Sequence, residues 1–257
     1  MIDPWLIFTG LTIGLLVGAT GIGGGSLTTP ILILFFRVPP LIAVGTDLVY
    51  ATVTKALGSW QHLRQGSVNL TLTLYLAAGS LPGSLMGVRL LTWLNQQGWI
   101  ELDDVITRLA GAMLILASGF MIYRALSPKG AGVRGALDFN LGRKVQTALS
   151  GLLVGLLIST TSLGSGVLVV LLLALFYNLP MSRVVGTDIF HAAILTATAG
   201  LAHLHQGNVD PSILSSLLLG SIPGVLIGSR LTLMVPERGL RLAIALIFLI
   251  LGLKLGG

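Results

Sequence analysis

Nine acidic side chains serve 257 residues, and two of them stand inside long apolar runs: Asp47 and Asp188. Each closes a Gly-Thr-Asp triplet, Gly45-Thr46-Asp47 and Gly186-Thr187-Asp188, and the two triplets are 141 residues apart. A glycine-rich break precedes each one, Gly21-Ile-Gly-Gly-Gly-Ser26 in the first case and Ser162-Leu-Gly-Ser-Gly-Val167 in the second. Gly23, Gly24 and Gly25 lack a Cβ, so the backbone can turn sharply and approach a ligand. A helix opening at Ser26 would present free N–H groups and the positive end of its dipole there, which suits an anion. Gly164, Ser165 and Gly166 offer the same ahead of a helix starting near Val167. Close helix packing through glycine is the plainer reading of either break.

The triplets allow two readings. Thr46, Asp47, Thr187 and Asp188 can cap the long segments they open, their oxygens accepting the first free N–H groups. The acids can instead form an ionisable pair that takes up protons or cations. Lys55 lies about halfway along the third apolar segment, where an ammonium needs a partner or a watery cavity. It can attract an anion or pair with an acid such as Asp188. His191 follows Asp188 at i, i+3 and shares its face. His62 and His203 come at the far ends of their segments, beside Gln65 and Gln206. Interface or cap roles suit them, with proton relay as the functional alternative. Thus Gly23, Gly24, Gly25, Ser26, Thr46, Lys55, Gly164, Ser165, Gly166, Thr187 and His191 are the substrate-binding candidates. Asp47, Asp188, His62 and His203 are the coupling candidates. No catalytic residue, metal site or cofactor site is expected.

The elements that must position these residues are membrane helices. The chain is 54% hydrophobic and 9% charged, far below the quarter expected of a soluble domain. Ten apolar segments follow one another, and roughly 20 apolar residues span a bilayer. Segments three, four, five, eight and nine meet that length and the tenth nearly does, whereas segments two and seven are half-spans, tilted pieces or re-entrant helices. Residues 10–90 align without a gap on 151–231, with 33 of 81 positions identical. The expected fold is therefore an all-α polytopic membrane protein of two repeats with about five helical segments each. Residues 1–126 form the first repeat, 127–144 a basic linker and 145–257 the second. The bases of the linker place it in the cytoplasm. If segments two and seven fail to cross, each half has four spans and the halves run parallel, which fits the other basic residues worse. Five spans per half are preferred, and that odd number makes the repeats inverted in topology, with the short segments two and seven near the midplane.

Several chemistries are excluded. Cysteine is absent, so there is no disulfide or thiol chemistry. The net charge of +6 is spread without a dense basic block, which speaks for membrane orientation and not for nucleic acid. There is no His-Glu-x-x-His, no P-loop and no Gly-x-Ser-Gly of an intramembrane serine protease.

Gly-Ile-Gly-Gly-Gly, then Pro-Pro-x3-Val-Gly-Thr-Asp, His-x2-Gln-Gly-x-Val and Pro-Gly-x3-Gly, all duplicated, resemble the TauE/SafE family of sulfite exporters and TSUP permeases. The resemblance covers nearly all of the chain outside the linker. It implies a multi-pass transporter of the plasma (inner) membrane that moves small sulfur-containing or carbon anions such as sulfite or organosulfonates. The mechanism expected of it is secondary-active transport by alternating access, with the lipid bilayer as partner, no nucleic acid, and homodimerisation open. The family motif falls here on Gly23–Gly25, Gly45–Asp47, His62, Gln65, Pro82 and Gly83. Symmetry fails at Ser165, which matches Gly24, and at Thr196, which matches Lys55. A proton- or cation-conducting pathway on the twin acids and a membrane scaffold without transport are the alternatives.

Overall fold

A computed structural model describes residues 2–20, 25–98, 101–126, 140–164, 166–177, 179–231 and 237–257. In chain order the helices are α1 Pro4–Thr20, α2 Gly25–Phe36, α3 Pro40–Arg64, α4 Leu70–Gln97, α5 Leu102–Leu126, α6 Leu141–Thr161, α7 Leu168–Phe176, α8 Met181–His205, α9 Pro211–Leu231 and α10 Glu237–Gly256. No strand occurs among the described residues. Gly23, Gly24 and Ser165 lie outside them, as does the linker stretch 127–139.

Local chemistry fixes the helix ends at equivalent places in the two repeats. Pro40 fills the first turn of α3, where its missing N–H costs nothing. Gly66 at φ 63° and Gly207 at φ 76° end α3 and α8 in the left-handed conformation that glycine adopts freely. Asn69 Oδ1 then accepts the Leu72 N–H at 3.0 Å to start α4. Its counterpart Asp210 accepts the N–H groups of Ser212 and Ile213 to start α9.

Among the described residues, six helices are long and apolar enough to cross a membrane: α3, α4, α5, α6, α8 and α9. The sequence reading left the sixth segment short of spanning length, because it assigned residues through Lys144 to the linker; Asn140 caps the helix and opens it at Leu141. With 12 and 9 residues, α2 and α7 reach only about 18 Å and 14 Å at 1.5 Å per residue. Neither helix is long enough by itself to cross a hydrocarbon core of about 30 Å. Trp5, Phe8, Leu74, Leu153, Leu226 and Leu253 stand exposed, as expected of a surface solvated by lipid chains.

The repeats are interleaved: the long helices pack chiefly against the other repeat, whereas α2 and α7 pack chiefly on α3 and α8 of their own repeat. α1 packs on α9 and α4 on α6, while α3 packs on α8 and α5 on α10. Two glycine seams close the first pair of interfaces. Gly10 lies on Leu217, Gly14 on Ser221 and Gly228 on Leu15, so α1 and α9 run parallel. Gly79 on Ala148, Gly83 on Leu152 and Gly87 on Leu156 make α4 and α6 parallel in the same way. The equivalent helices α3 and α8 are antiparallel, since Gly45 faces His203, Gly200 faces Val49 and Gly58 faces Ile189. Antiparallel equivalents are what two oppositely oriented copies require.

Candidate functional site

The Gly-Thr-Asp triplets sit in the second turn of α3 and α8, not at their N-termini. Pro39 and Pro180 hold the cap positions and make no side-chain cap bond. The capping reading is thus corrected: a helical residue at that depth has its neighbours' N–H groups already bonded within the helix. The threonines instead reach across to the other repeat. Thr46 Oγ1 accepts the Asp210 N–H at 3.0 Å, and Thr187 Oγ1 accepts the Asn69 N–H at 2.9 Å. The glycines make room for the same loops, Gly45 lying on the Asn208 carbonyl and Gly186 on the Ser67 carbonyl. Glycine and threonine together buckle each repeat to the start of the other repeat's fourth helix.

The aspartates have different surroundings. Asp47 is fully buried, and its Oδ2 accepts hydrogen bonds from Thr29 Oγ1 at 2.6 Å and Ser162 Oγ at 2.8 Å. Thr29 belongs to α2, while Ser162 ends α6 of the other repeat in the left-handed conformation at φ 57°. Thr28 stands at the same carboxylate. Asp47 Oδ1 has no hydrogen-bond partner among the described residues. In the gapless alignment of the repeats, the residues matching Thr29 and Ser162 are Val170 and Gly21, so Asp188 has no equivalent hydroxyls in sequence. Its Oδ1 is likewise unpartnered.

Lys55 is buried midway along α3, within Coulombic range of Asp188 and, less strongly, of Asp47. The antiparallel register separates the two acids. Asp47 lies opposite the α8 stretch near residue 201, about 20 Å along the helix axes from Asp188 at 1.5 Å per residue. Lys55 stands between them, opposite residues 192–194. The twin acids therefore do not share one site.

A hydroxyl or imidazole accompanies each acid. His191 is buried and its Nε2 lies 2.8 Å from Ser80 Oγ of α4; its Nδ1 is unpartnered. At the equivalent place across the pseudo-twofold, the Tyr50 hydroxyl faces Ser221 of α9 without closing a hydrogen bond. Each such atom is costly to bury unpaired, about 1–3 kcal/mol. Asp47, Tyr50 and Ser221 on one side of Lys55, with Asp188 and His191 on the other, line one polar interior. Ser80, Ser221 and Thr29 were not singled out from the sequence. The paired Gly79-Ser80 and Gly220-Ser221 of the gapless alignment carry the signal that could have found the two serines.

The remaining candidates fall elsewhere. His203 is buried, and its Nε2 lies 2.9 Å from the Ser159 carbonyl, which can only accept. The proton therefore sits on Nε2, leaving Nδ1 to face the Asn208 amide. Both nitrogens bind the fold. His62 is half-buried at the end of α3 against Ser67. Gly25 is the first residue of α2, and Ser26 beside it is buried. Thr29 and Asp47 share a level, so α2 begins one turn nearer the middle, about 6 Å. Gly164, at φ 90°, turns the chain into α7, and its carbonyl accepts the N–H groups of Val167 and Leu168 at 3.1 and 2.8 Å. Those two donors are thus used within the turn, beside Gly166, and are not open to an anion.

An interleaved bundle of apolar helices around buried ionisable groups defines a multi-pass membrane protein whose chemistry lies at membrane depth. The comparisons give its kind. The profile of the family described as Sulfite exporter TauE/SafE matches residues 6–255, and the chain belongs to that family of membrane transporters. It is similar to "Probable membrane transporter protein YjnA" of Bacillus subtilis (strain 168), 40% identical over 97% of this chain and 98% of the relative. It is also similar to "Probable membrane transporter protein YdhB" of the same organism, 26% identical over 97% and 98%. No solved structure matches the chain.

Proposed function

We propose that this transporter moves a small sulfur oxyanion, sulfite or an organosulfonate, across the plasma membrane by alternating access between its two oppositely oriented repeats. The observation that carries this reading is the buried ammonium of Lys55 halfway through the membrane helices. A cation at that depth draws an anion into a low-dielectric interior, where the attraction is far stronger than in water. The hydroxyls of Tyr50 and Ser221 and the Nδ1 of His191 have hydrogen-bonding capacity left for its oxygens. Ser26, at the opening of α2, adds a further donor beside a helix N-terminus. The short helices α2 and α7 start near the middle of the bundle, where transporters with broken helices bind their substrates. The same unpaired polar atoms speak against a membrane scaffold, which gains nothing from them. The cytoplasmic placing of the linker and a homodimeric assembly belong to this proposal.

The test is uptake of labelled sulfite and of a small sulfonate into proteoliposomes carrying the full chain. Lys55→Thr places at α3 the residue the second repeat already carries at Thr196. Flux is expected to fall about tenfold or more, the loss of one charge-assisted contact. Undiminished sulfite and sulfonate flux in Lys55→Thr would remove Lys55 from the substrate path.

A further inference from the structure

We propose that Asp47 holds a sodium ion, and that the duplicated scaffold has kept this cation site at one of its two equivalent acids only. The inference rests on the transport reading for its role as coupling ion, but the site itself is argued from geometry. One carboxylate oxygen, Asp47 Oδ1, is buried without a partner among the described residues. Around the same carboxylate stand hydroxyl oxygens: Thr29 Oγ1 and Ser162 Oγ, bonded to Oδ2, and Thr28 beside them. Thr29 and Ser162 donate their protons to Oδ2, which leaves the lone pairs of these two hydroxyls for a hard cation.

Two further observations select a cation over an empty site or a proton. The carboxylate abuts the C-terminus of α6, whose last carbonyls carry partial negative charge; Ser162 is the residue that ends this helix. A helix C-terminus and an acid side by side call for positive charge between them. The first turn of α2, which brings Thr28 and Thr29, offsets part of this, and Lys55 acts from a distance. Lys55 is matched more strongly by Asp188. Two carboxylates and one ammonium leave the buried group one positive charge short, which a monovalent ion supplies and a divalent ion would exceed. A proton on Oδ1 would balance the charge as well, but it would be a buried donor with no acceptor among the described residues.

The other repeat shows what removing the site looks like. In the gapless alignment the counterparts of Ser26, Thr28, Thr29 and Ser162 are Val167, Val169, Val170 and Gly21. Every hydroxyl is gone, and Lys55 supplies the positive charge that an ion would. One acid therefore keeps a removable cation while its equivalent keeps a fixed one. Ion uptake at Asp47 then adds a charge to the path without disturbing the Lys55–Asp188 balance.

The test uses the purified full chain at constant ionic strength, with choline chloride replaced stepwise by sodium chloride or potassium chloride. Thermal unfolding is the readout. Sodium is expected to raise the midpoint along a saturable curve that potassium does not reproduce. Thr29→Val and Ser162→Gly each copy the residue that the other repeat carries at the equivalent position, Val170 and Gly21. Each is expected to raise the half-saturating sodium concentration roughly tenfold or more. Midpoints that coincide in sodium, potassium and choline, or variants that keep the wild-type half-saturation, overturn the site. A stabilisation reproduced by lowering pH in choline overturns it in favour of a proton. Flux separates this proposal from the one it rests on. Sulfite transport undiminished in sodium-free medium, with no saturable sodium effect, removes the ion site and leaves transport standing. Saturable sodium binding without flux of any tested anion upholds the site and removes the anion.

Discussion

Gly14 is where the packing of this fold can be tested with one methyl group. It lies in the α1–α9 seam, and a Cβ built on it would stand 2.5 Å from the Ser221 carbonyl oxygen, 2.8 Å from Ser221 Cα and 3.0 Å from the Val225 nitrogen. Ordinary non-bonded contact is about 3.5–4.0 Å, so Gly14→Ala must part the two helices by about 1 Å. The obstacle is backbone, which cannot rotate aside as a side chain can. Opening a seam by that much forfeits between a quarter and a half of the dispersion at its lining. Overpacking of this kind costs about 1–3 kcal/mol. Gly119 is the internal control, because a Cβ there meets nothing within 4 Å. Gly119→Ala should be neutral, or stabilising by about 0.5–1 kcal/mol from helix propensity alone. Chemical unfolding of the purified variants in one detergent would show the difference. Ser221 faces Tyr50 in the polar interior, so Gly14→Ala should also lower anion flux, while Gly119→Ala should not. Equal stabilities for the two alanine variants would refute the seam as the contact that joins the repeats.

The other expectations concern the buckles and the buried charges. Thr46→Val keeps the shape but strands the Asp210 N–H, and should cost about 1 kcal/mol in the same unfolding assay. Thr187→Val should cost a similar amount at Asn69, and the double variant should show the sum, because the two sites are far apart. Lys55→Thr leaves two buried carboxylates without their ammonium and should destabilise by about 3–5 kcal/mol. Adding Asp188→Asn should recover most of that stability without restoring flux, and a double variant no more stable than Lys55→Thr alone would show that Lys55 and Asp188 are not coupled.

Much of the architecture was readable from the residues. Apolar runs in water-poor composition leave helices as the way to satisfy every backbone group in lipid, so segment boundaries follow hydropathy closely. The shortness of α2 and α7 is a matter of counting. The repeat is visible because one offset holds over eighty positions, and it named Asp47 and Asp188; Lys55 stood out as a charge inside an apolar run and His191 by its spacing from Asp188, and the structure places all four in the buried interior. The triplets were misjudged because a sequence shows a threonine's neighbours along the chain, and the partners of Thr46 and Thr187 are 164 and 118 residues away.

The sequence by itself determined a membrane bundle of two related halves with charged groups inside it, because composition and periodicity are local properties. Only the tertiary structure decided how the halves interleave, since which glycine lies on which carbonyl depends on two helices meeting. It also decided that the twin acids stand about 20 Å apart along antiparallel helices and do not share a site. Finally, it decided their inequality. Thr29 and Ser162 come to Asp47 from two different repeats, and no reading along a single chain brings them together.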